Sequence, residues 1–471
     1  MTVTAGHMAN GHRPLAPATT ETAGPAGAPR LADGVELLGA YQDSGYSQPP
    51  SLVRRPDGQV LQMSPLLYQV TCQIDCSRDP DAIADLVSAE LGRTMTGDQV
   101  RYLITAKLLP LGIVADHGAP ARLPTASPLL ALRARGTLLP ERAASAAGTL
   151  LRPLFRPPVI VGVVASVAAI DYWLFAAHGL GSGLQQILSD PVGLLAVFAL
   201  TLVSAAFHEC GHAAGCRYGG ARPGVIGVGI YLVWPSFFTN VTDSYRLSRG
   251  GRLRTDLGGL YFILIFILAM AALYEATSAE ILLLVIAVTH LEMLQQLLPF
   301  VRFDGYFIVS DLVGVPDLFA RVAPVLRSLR GNRRDPRAAD LRRGARIVVT
   351  GWVLCVIPLL TLTIGYLLLR LPQINRALWR TVSLQAHHMA TAVTTGHYAM
   401  AAVDVIGVAL AALPIAGSLY IVTGLARRAA TMGLRWSAGR PGRRLLVTAA
   451  AVTCVASLAV LWGIQGQFRD W

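Results

Sequence analysis

The stretch "LLAVFALTLVSAAFHECGHAAG", residues 194–215, combines a long apolar run with two histidines and a glutamate. A helix needs about 20 predominantly apolar residues to cross a bilayer, and this run is of that order. A charged side chain near the middle of such a helix costs about 2.5–3.5 kcal/mol on insertion scales. We therefore expect His208, Glu209 and His212 to serve a function inside a membrane helix.

The composition of the whole chain supports a membrane protein. Of its 471 residues, 53% are hydrophobic and only 14% are charged, whereas a soluble domain carries about 25% charged residues. The net charge of +12 comes mainly from arginines that cluster beside apolar segments. This pattern is typical of cytoplasmic loops. It predicts a polytopic α-helical membrane protein whose partner is the lipid bilayer, with no nucleic-acid partner.

Seven apolar stretches are predicted to span the membrane, near residues 157–178, 192–217, 255–276, 279–300, 346–370, 399–424 and 444–464. The connecting loops alternate between arginine-rich and arginine-poor. Because arginine-rich loops stay in the cytoplasm, this predicts a multi-pass cell-membrane protein with a cytoplasmic N-terminus. Loop 371–398 is then expected outside and loop 425–443 inside, and residues 331–471 form the C-terminal membrane helices.

The first 156 residues have a different character. Residues 1–34 are rich in Ala, Gly, Pro and Thr, which predicts a disordered tail. Residues 35–116 predict a small soluble α+β domain, winged-helix-like, with a hairpin and three short helices. The predicted helix starts are Ser64–Pro65, Asp79–Pro80 and a capping box from Thr96 to Gln99. Residues 117–156 are expected to be an arginine-rich linker to a membrane core at 157–330.

The two histidines are spaced for metal binding. His208 and His212 are four residues apart and share one helix face, which is the spacing that zinc needs from two helical ligands. Glu209 is placed to act as a general base. A third ligand is expected from Asp304, in the "LLPFVRFDGYFIVSDLVGV" segment at 297–315. Glu292, in the fourth predicted span, is an alternative third ligand.

Residues 224–247, "GVIGVGIYLVWPSFFTNVTDSYRL", lie between the second and third predicted spans. They are apolar and β-branched but interrupted by glycines. Two interpretations stay open. The segment forms a hairpin whose edge pairs with an unwound substrate strand, or it is a plain loop at the membrane surface.

The pairing of "HECGH" with a downstream "LLPFVRFDGY" resembles the site-2 protease class of intramembrane zinc metalloproteases. The form P-x-x-R-x-D-G-Y-x-x-x-S-D, from Pro299 to Asp311, is similar to the peptide zinc metalloprotease branch. The resemblance covers roughly residues 190–320. It implies that His208, His212 and Asp304 bind one Zn²⁺ and that Glu209 is the general base.

The same resemblance implies a substrate-binding region beside the metal site. Gln296 stands where the family usually has an asparagine upstream of the proline, here Pro299. These two residues are therefore implied to help hold the substrate strand. The asparagine often found in the next span is not evident in "DLGGLYFILIF", which is a departure from the family pattern.

The stretch "VLQMSPLLYQVTCQID", residues 60–75, resembles PqqD-like domains that bind leader peptides of ribosomally made natural products. This implies a peptide substrate and a function in leader removal or peptide maturation. One alternative is regulated intramembrane proteolysis of a signalling protein such as an anti-sigma factor. Another is a non-catalytic zinc-binding membrane protein or a component of a peptide exporter. The oligomeric state is not indicated by any of these features.

Overall fold

The N-terminal part of the chain folds into a small sheet followed by three short helices. The computed structural model describes residues 28–56, 59–115, 133–178, 191–231, 234–330 and 340–464. The strands are antiparallel in the order β1-β2-β3, and the elements are β1 (Glu36–Ala40), β2 (Ser51–Arg54), β3 (Val60–Met63), α1 (Pro65–Cys72), α2 (Pro80–Leu91) and α3 (Gly97–Leu103). Most of the predicted disordered tail, residues 1–27, lies outside the described residues.

Local hydrogen bonds start each of the three helices at the predicted residue. Ser64 accepts from the Leu67 amide at 3.3 Å, and Asp79 accepts from the Ala82 amide at 2.7 Å. Thr96 and Gln99 form the complete capping box. Each cap satisfies an amide that has no partner inside its helix. The helices close over a core that includes Val53, Met63, Val70, Ile83 and Val100.

The predicted linker 117–156 differs from the structure in its second half. Residues 133–151 form a strand and a helix, β4 (Arg133–Leu139) and α4 (Glu141–Leu151). β4 pairs with the first strand of a hairpin, giving a second antiparallel sheet in the order β4-β5-β6, with β5 (Ile226–Tyr231) and β6 (Trp234–Thr239). The small residues of "ERAASAAG" let α4 pack closely on the helix that contains Ala213. The number of arginines in this segment did not predict that contact. Residues 116–132 lie outside the described residues.

The rest of the chain is a set of helices: α5 (Pro157–Tyr172), α6 (Pro191–Tyr218), α7 (Arg249–Thr277), α8 (Ile281–Gln296), α9 (Asp304–Val313), α10 (Phe319–Arg330), α11 (Arg343–Thr394), α12 (Tyr398–Ser437) and α13 (Pro441–Ile464). By length and composition, six helices of the described chain could cross a membrane: α5 with its continuation to Ala177, α6, α7, α11, α12 and α13. The fourth predicted span corresponds to α8, which has 16 residues. At 1.5 Å per residue it is about 24 Å long, short of a hydrocarbon core of about 30 Å.

Two predicted loops are helical instead. Loop 371–398 is largely the end of α11, which has 52 residues, and much of loop 425–443 is the end of α12. Arginines mark where a chain leaves an apolar layer, but they are good helix formers and do not end a helix. The helices end near Gly396 and Gly439, which have positive φ angles of 80° and 71°.

Glycines bring α6 and α7 into close contact. Gly211 and Gly215 are four residues apart on α6, a spacing that lets two helix backbones approach. A Cβ on Gly211 would collide with the Gly258 carbonyl of α7, and one on Gly215 would lie 2.8 Å from the Arg254 carbonyl oxygen. The α7 backbone therefore lies directly against the helix that carries the two histidines.

The N-terminal domain is built into the helical part by the segment between β1 and β2. The Gly45 amide donates to the Gly314 carbonyl at 2.9 Å, and the Arg342 amide donates to the Gly45 carbonyl at 2.8 Å. Tyr46 packs in a cluster with Tyr306 and Trp352. The domain thus shares a hydrophobic core with α9, α10 and α11.

Arg252 anchors the same junction from inside α7. Its side chain is fully buried, and its Nε lies 3.1 Å from Asp311 Oδ1. The Tyr41 hydroxyl donates to the same carboxylate oxygen at 3.0 Å, and the guanidinium lies 4.3 Å from the centre of the Tyr41 ring. Burial, followed by the Asp311 charge, raises the pKa of Tyr41 well above its usual range, so the phenol stays protonated and keeps donating.

Candidate metal centre

Two helices bring the three predicted metal ligands together. His208 and His212 project from one face of α6, and their Nε2 atoms lie 3.1 Å apart. Asp304 is the first residue of α9, and its Oδ2 lies 3.1 Å from His208 Nε2 and 3.4 Å from His212 Nε2. All three side chains are largely shielded from solvent. Within the described residues, this is the group of His, Cys, Asp and Glu side chains that could hold a metal ion.

The spacing of the three ligand atoms fits a tetrahedral ion. With ligand bonds of about 2.0–2.1 Å, as zinc makes to histidine and carboxylate, neighbouring ligand atoms lie about 3.3 Å apart. The three measured separations are 3.1, 3.1 and 3.4 Å, so the atoms form one face of such a tetrahedron. Three protein ligands with the fourth position open are typical of catalytic rather than structural sites.

Backbone of α7 supports this group. His212 Nδ1 lies 2.8 Å from the Thr255 carbonyl oxygen. A carbonyl can only accept, so the proton sits on Nδ1 and the Nε2 lone pair faces the ligand group. The buried Nδ1 of His208 has no hydrogen-bond partner in the described part of the chain.

Gly259 of α7 leaves the space that the imidazoles occupy. A Cβ at this position would lie 2.5 Å from His208 Nε2 and 2.6 Å from His212 Nε2. These distances are too short for any side chain, so only glycine is compatible with the group. Gly259 was not predicted from the sequence; the glycine pair in "DLGG", beside the bulky run "LYFILIF", is the signal that could have indicated it.

Glu209 lies beside the metal-ligand group and is positioned by the hairpin. The hydroxyl of Thr239, the last residue of β6, lies 2.8 Å from Glu209 Oε2 and 2.9 Å from the Glu209 carbonyl oxygen. Both residues are buried. Thr239 was not predicted from sequence, because the two residues are 30 positions apart and nothing in the intervening sequence indicates that the hairpin folds back onto α6.

A small cavity joins these groups. Its lining includes Glu209, His212, Thr239, Asp256 and Asp304. The space open to a water-sized sphere is about 20 Å³, enough for one water molecule. The arrangement could therefore hold a metal ion, with one water-sized space beside the Glu209 carboxylate.

The remaining sequence candidates are not members of this group, although Glu292 is close enough to His208 for an electrostatic interaction. Glu292 is on α8 and is not a member of the group that could hold a metal ion, whose third member is Asp304. Gln296 is the last residue of α8. The Pro299 carbonyl accepts from Trp352 Nε1 at 3.0 Å, which ties the segment ahead of Asp304 to α11.

Comparison with known proteins adds no relative. A scan against protein-family models, a search of curated proteins and a search of solved structures each found no match for this chain. The site can be classed from its geometry alone. It is a His-His-Asp group that could hold a metal ion, and a glutamate lies beside it.

Proposed function

We propose that this chain is a zinc metalloprotease of the site-2 protease class, which hydrolyses a peptide bond of a membrane-associated peptide. The observation that carries the proposal is the tetrahedral spacing of His208, His212 and Asp304 with Glu209 alongside. A site that only stores or transports metal needs no carboxylate base at this position. The combination favours hydrolysis.

The residues take distinct roles in the proposed reaction. When bound, Zn²⁺ polarises the scissile carbonyl and makes a water molecule a stronger acid. Glu209 accepts the proton of that water on a carboxylate oxygen while the water oxygen bonds to the carbonyl carbon. The C–N bond then breaks, and Glu209 returns the proton to the leaving nitrogen. Thr239 orients the base by donating to Oε2.

The hairpin supports the strand-addition interpretation of residues 224–247. β5 and β6 pair in register from Ile226–Thr239 to Tyr231–Trp234. In the described sheet, β6 pairs with β5 on one side and has no strand on the other. A substrate strand added to this free edge would lie next to Thr239, and thereby next to Glu209.

A membrane location and a peptide-maturation role complete the proposal. The six long apolar helices support a multi-pass membrane protein, and the arginine distribution supports a cytoplasmic N-terminus. The firm docking of the N-terminal domain through Gly45 and Tyr46 supports a domain that presents peptide to the site at a constant distance. We infer that the substrate is a short ribosomal precursor peptide whose leader is removed.

The test is mass spectrometry of a short precursor peptide encoded beside this gene and co-expressed with the protein. We expect a shortened peptide with the wild type and the full-length peptide with Glu209→Gln. Glu275→Gln, which changes an exposed carboxylate near the end of α7 outside the site, is the matched control and should still give the shortened peptide. A full-length peptide with the wild type would contradict leader removal as the function. Cleavage of a co-expressed anti-sigma factor would then support the signalling alternative.

A further inference from the structure

A second and larger cavity lies between the N-terminal sheet and the helical core. Its volume is about 530 Å³, within the range of about 300–1,000 Å³ that is usual for ligand pockets. Glu36 of β1 and Arg54 of β2 form one wall, and Glu141 at the start of α4 forms another. The turn after α6, with Arg222, and the chain from Asn240 to Leu247 complete it.

Four of its charged side chains neutralise one another. Glu36 lies 2.6 Å from both Arg54 and Arg246. Asp243 lies 2.9 Å from Arg246 and 3.8 Å from Arg54. The two acids and two arginines form a closed ring that joins the N-terminal sheet to the core. This ring fixes the width of the cavity and leaves little charge for a ligand.

Two further charged residues, Arg222 and Glu141, line the cavity, and both are exposed. The backbone amide of Arg222 donates to Asp243 at 2.9 Å, which fixes the residue, but its guanidinium has no ion pair or hydrogen bond with any described residue. The Glu141 carboxylate likewise has none in the described part of the chain. Among the described residues, the lining thus offers one cation and one anion, both exposed, that take no part in the ring.

The cavity and the metal centre have linings that are adjacent in the chain. Asn240, in its lining, directly follows Thr239, which contacts Glu209. A peptide strand advances about 3.3 Å per residue. A strand that pairs with β6 and continues past Thr239 therefore reaches the cavity within a few residues.

We propose that this cavity is a substrate subsite for a hydrophilic peptide segment close to the scissile bond. The segment carries an acidic side chain for Arg222 and a basic side chain for Glu141. This inference rests on the proposed function, because it assumes that the bound molecule is a peptide leaving the metal centre.

The test uses binding, so that it does not depend on cleavage. Full-length protein with Glu209→Gln is purified in detergent and mixed with synthetic peptides. Each peptide has one apolar run followed by four positions occupied by Glu, Lys or Gln. Retained peptides are identified by mass spectrometry. The same selection is made with Arg222→Glu and Glu141→Lys in the Glu209→Gln background. Arg93→Glu, an exposed arginine outside the cavity, is the matched control.

We expect peptides with Glu at one position and Lys at another to be enriched about two- to fivefold over the Gln peptides, as for partly exposed ion pairs. Arg222→Glu should reverse the preference for Glu, Glu141→Lys should reverse the preference for Lys, and Arg93→Glu should change neither. An identical charge profile in all variants, or no retained peptide, would overturn the subsite.

The wild type then separates the two proposals. One outcome is that retained peptides show the charge preference but are not cut by the wild type. This would support the subsite and contradict the protease function. The other outcome is that peptides are cut equally by the wild type and by Arg222→Glu and Glu141→Lys, each with Glu209 intact. That result would support the protease function and overturn the subsite.

Discussion

α7, which packs against the metal centre, and the last two helices, α12 and α13, are similarly apolar but are packed very differently. In the most apolar part of α7, 50% of the residues are buried inside the protein, against 6% in α12 and 0% in α13. α7 carries glycines and a buried arginine at its contacts. α13 instead exposes large apolar side chains such as Leu445 and Val455, at 74% and 69%. Hydropathy alone therefore does not distinguish a helix that is packed inside the protein from one whose apolar surface stays exposed.

The largest expected effect is on metal binding. Asp304→Ala removes one of three ligands, so we expect bound zinc to fall from about one ion per chain to less than about a tenth, since catalytic sites use three protein ligands. Glu292→Gln should keep its metal. Metal analysis of the purified proteins measures this. Equal metal loss in both variants would mean that Glu292 also belongs to the site.

The next effect concerns the buried charge that joins the two domains. Arg252→Met leaves Asp311 buried without its cation, so we expect a loss of about 3–5 kcal/mol in the free energy of unfolding. Arg443→Met, at the start of α13, should cost less than about 1 kcal/mol, because Arg443 lies over the Trp436 ring on an open surface. Denaturant unfolding followed by circular dichroism compares the two. Similar losses would contradict the contrast between the regions.

A pair of glycine substitutions sharpens the same contrast. Gly211→Leu places a side chain against the Gly258 carbonyl, and overpacking of this kind costs about 1–3 kcal/mol. Gly365→Leu on α11 meets open space and should leave the unfolding midpoint within about 1 °C. Thermal unfolding in detergent is the measurement. A destabilised Gly365→Leu would show that α11 is packed more tightly than its exposure indicates.

The smallest effect is on the orientation of the base. Thr239→Val keeps the shape but removes the hydrogen bond to Glu209. A hydrogen bond to a charged group contributes about 1.5–3 kcal/mol, and we expect kcat to fall about tenfold with bound metal unchanged. Thr239→Ser should restore most of kcat. Rates of peptide cleavage together with metal content separate this positioning role from a loss of the site.

Several elements were predictable because their interactions are local. Ser64, Asp79 and Thr96 cap helices by contacting residues three positions away. His208 and His212 meet because four residues complete about one helical turn. Asp304 was predicted from its motif and from the direction of the predicted spans. For the caps and the histidine pair, spacing along the chain was enough to indicate the contact, whereas the long-range contact of Asp304 needed the motif.

Other features depend on elements that are distant in the chain. Thr239, Thr255 and Gly259 reach the site only because β6 and α7 pack on α6. The ends of α11 and α12 were mispredicted because charge marks a polarity boundary and not the end of a helix.

What the sequence by itself determined is the set of short-range patterns: helix starts, apolar stretches and the His-Glu-His spacing on one face. Only the tertiary structure decided which backbone supports His212, which hydroxyl orients Glu209 and how Tyr41 and Arg252 meet across 211 positions. The physical reason is that short-range contacts follow from the fixed geometry of a helix. Long-range contacts depend on how closely separate elements pack, and here glycines and buried charges control that packing.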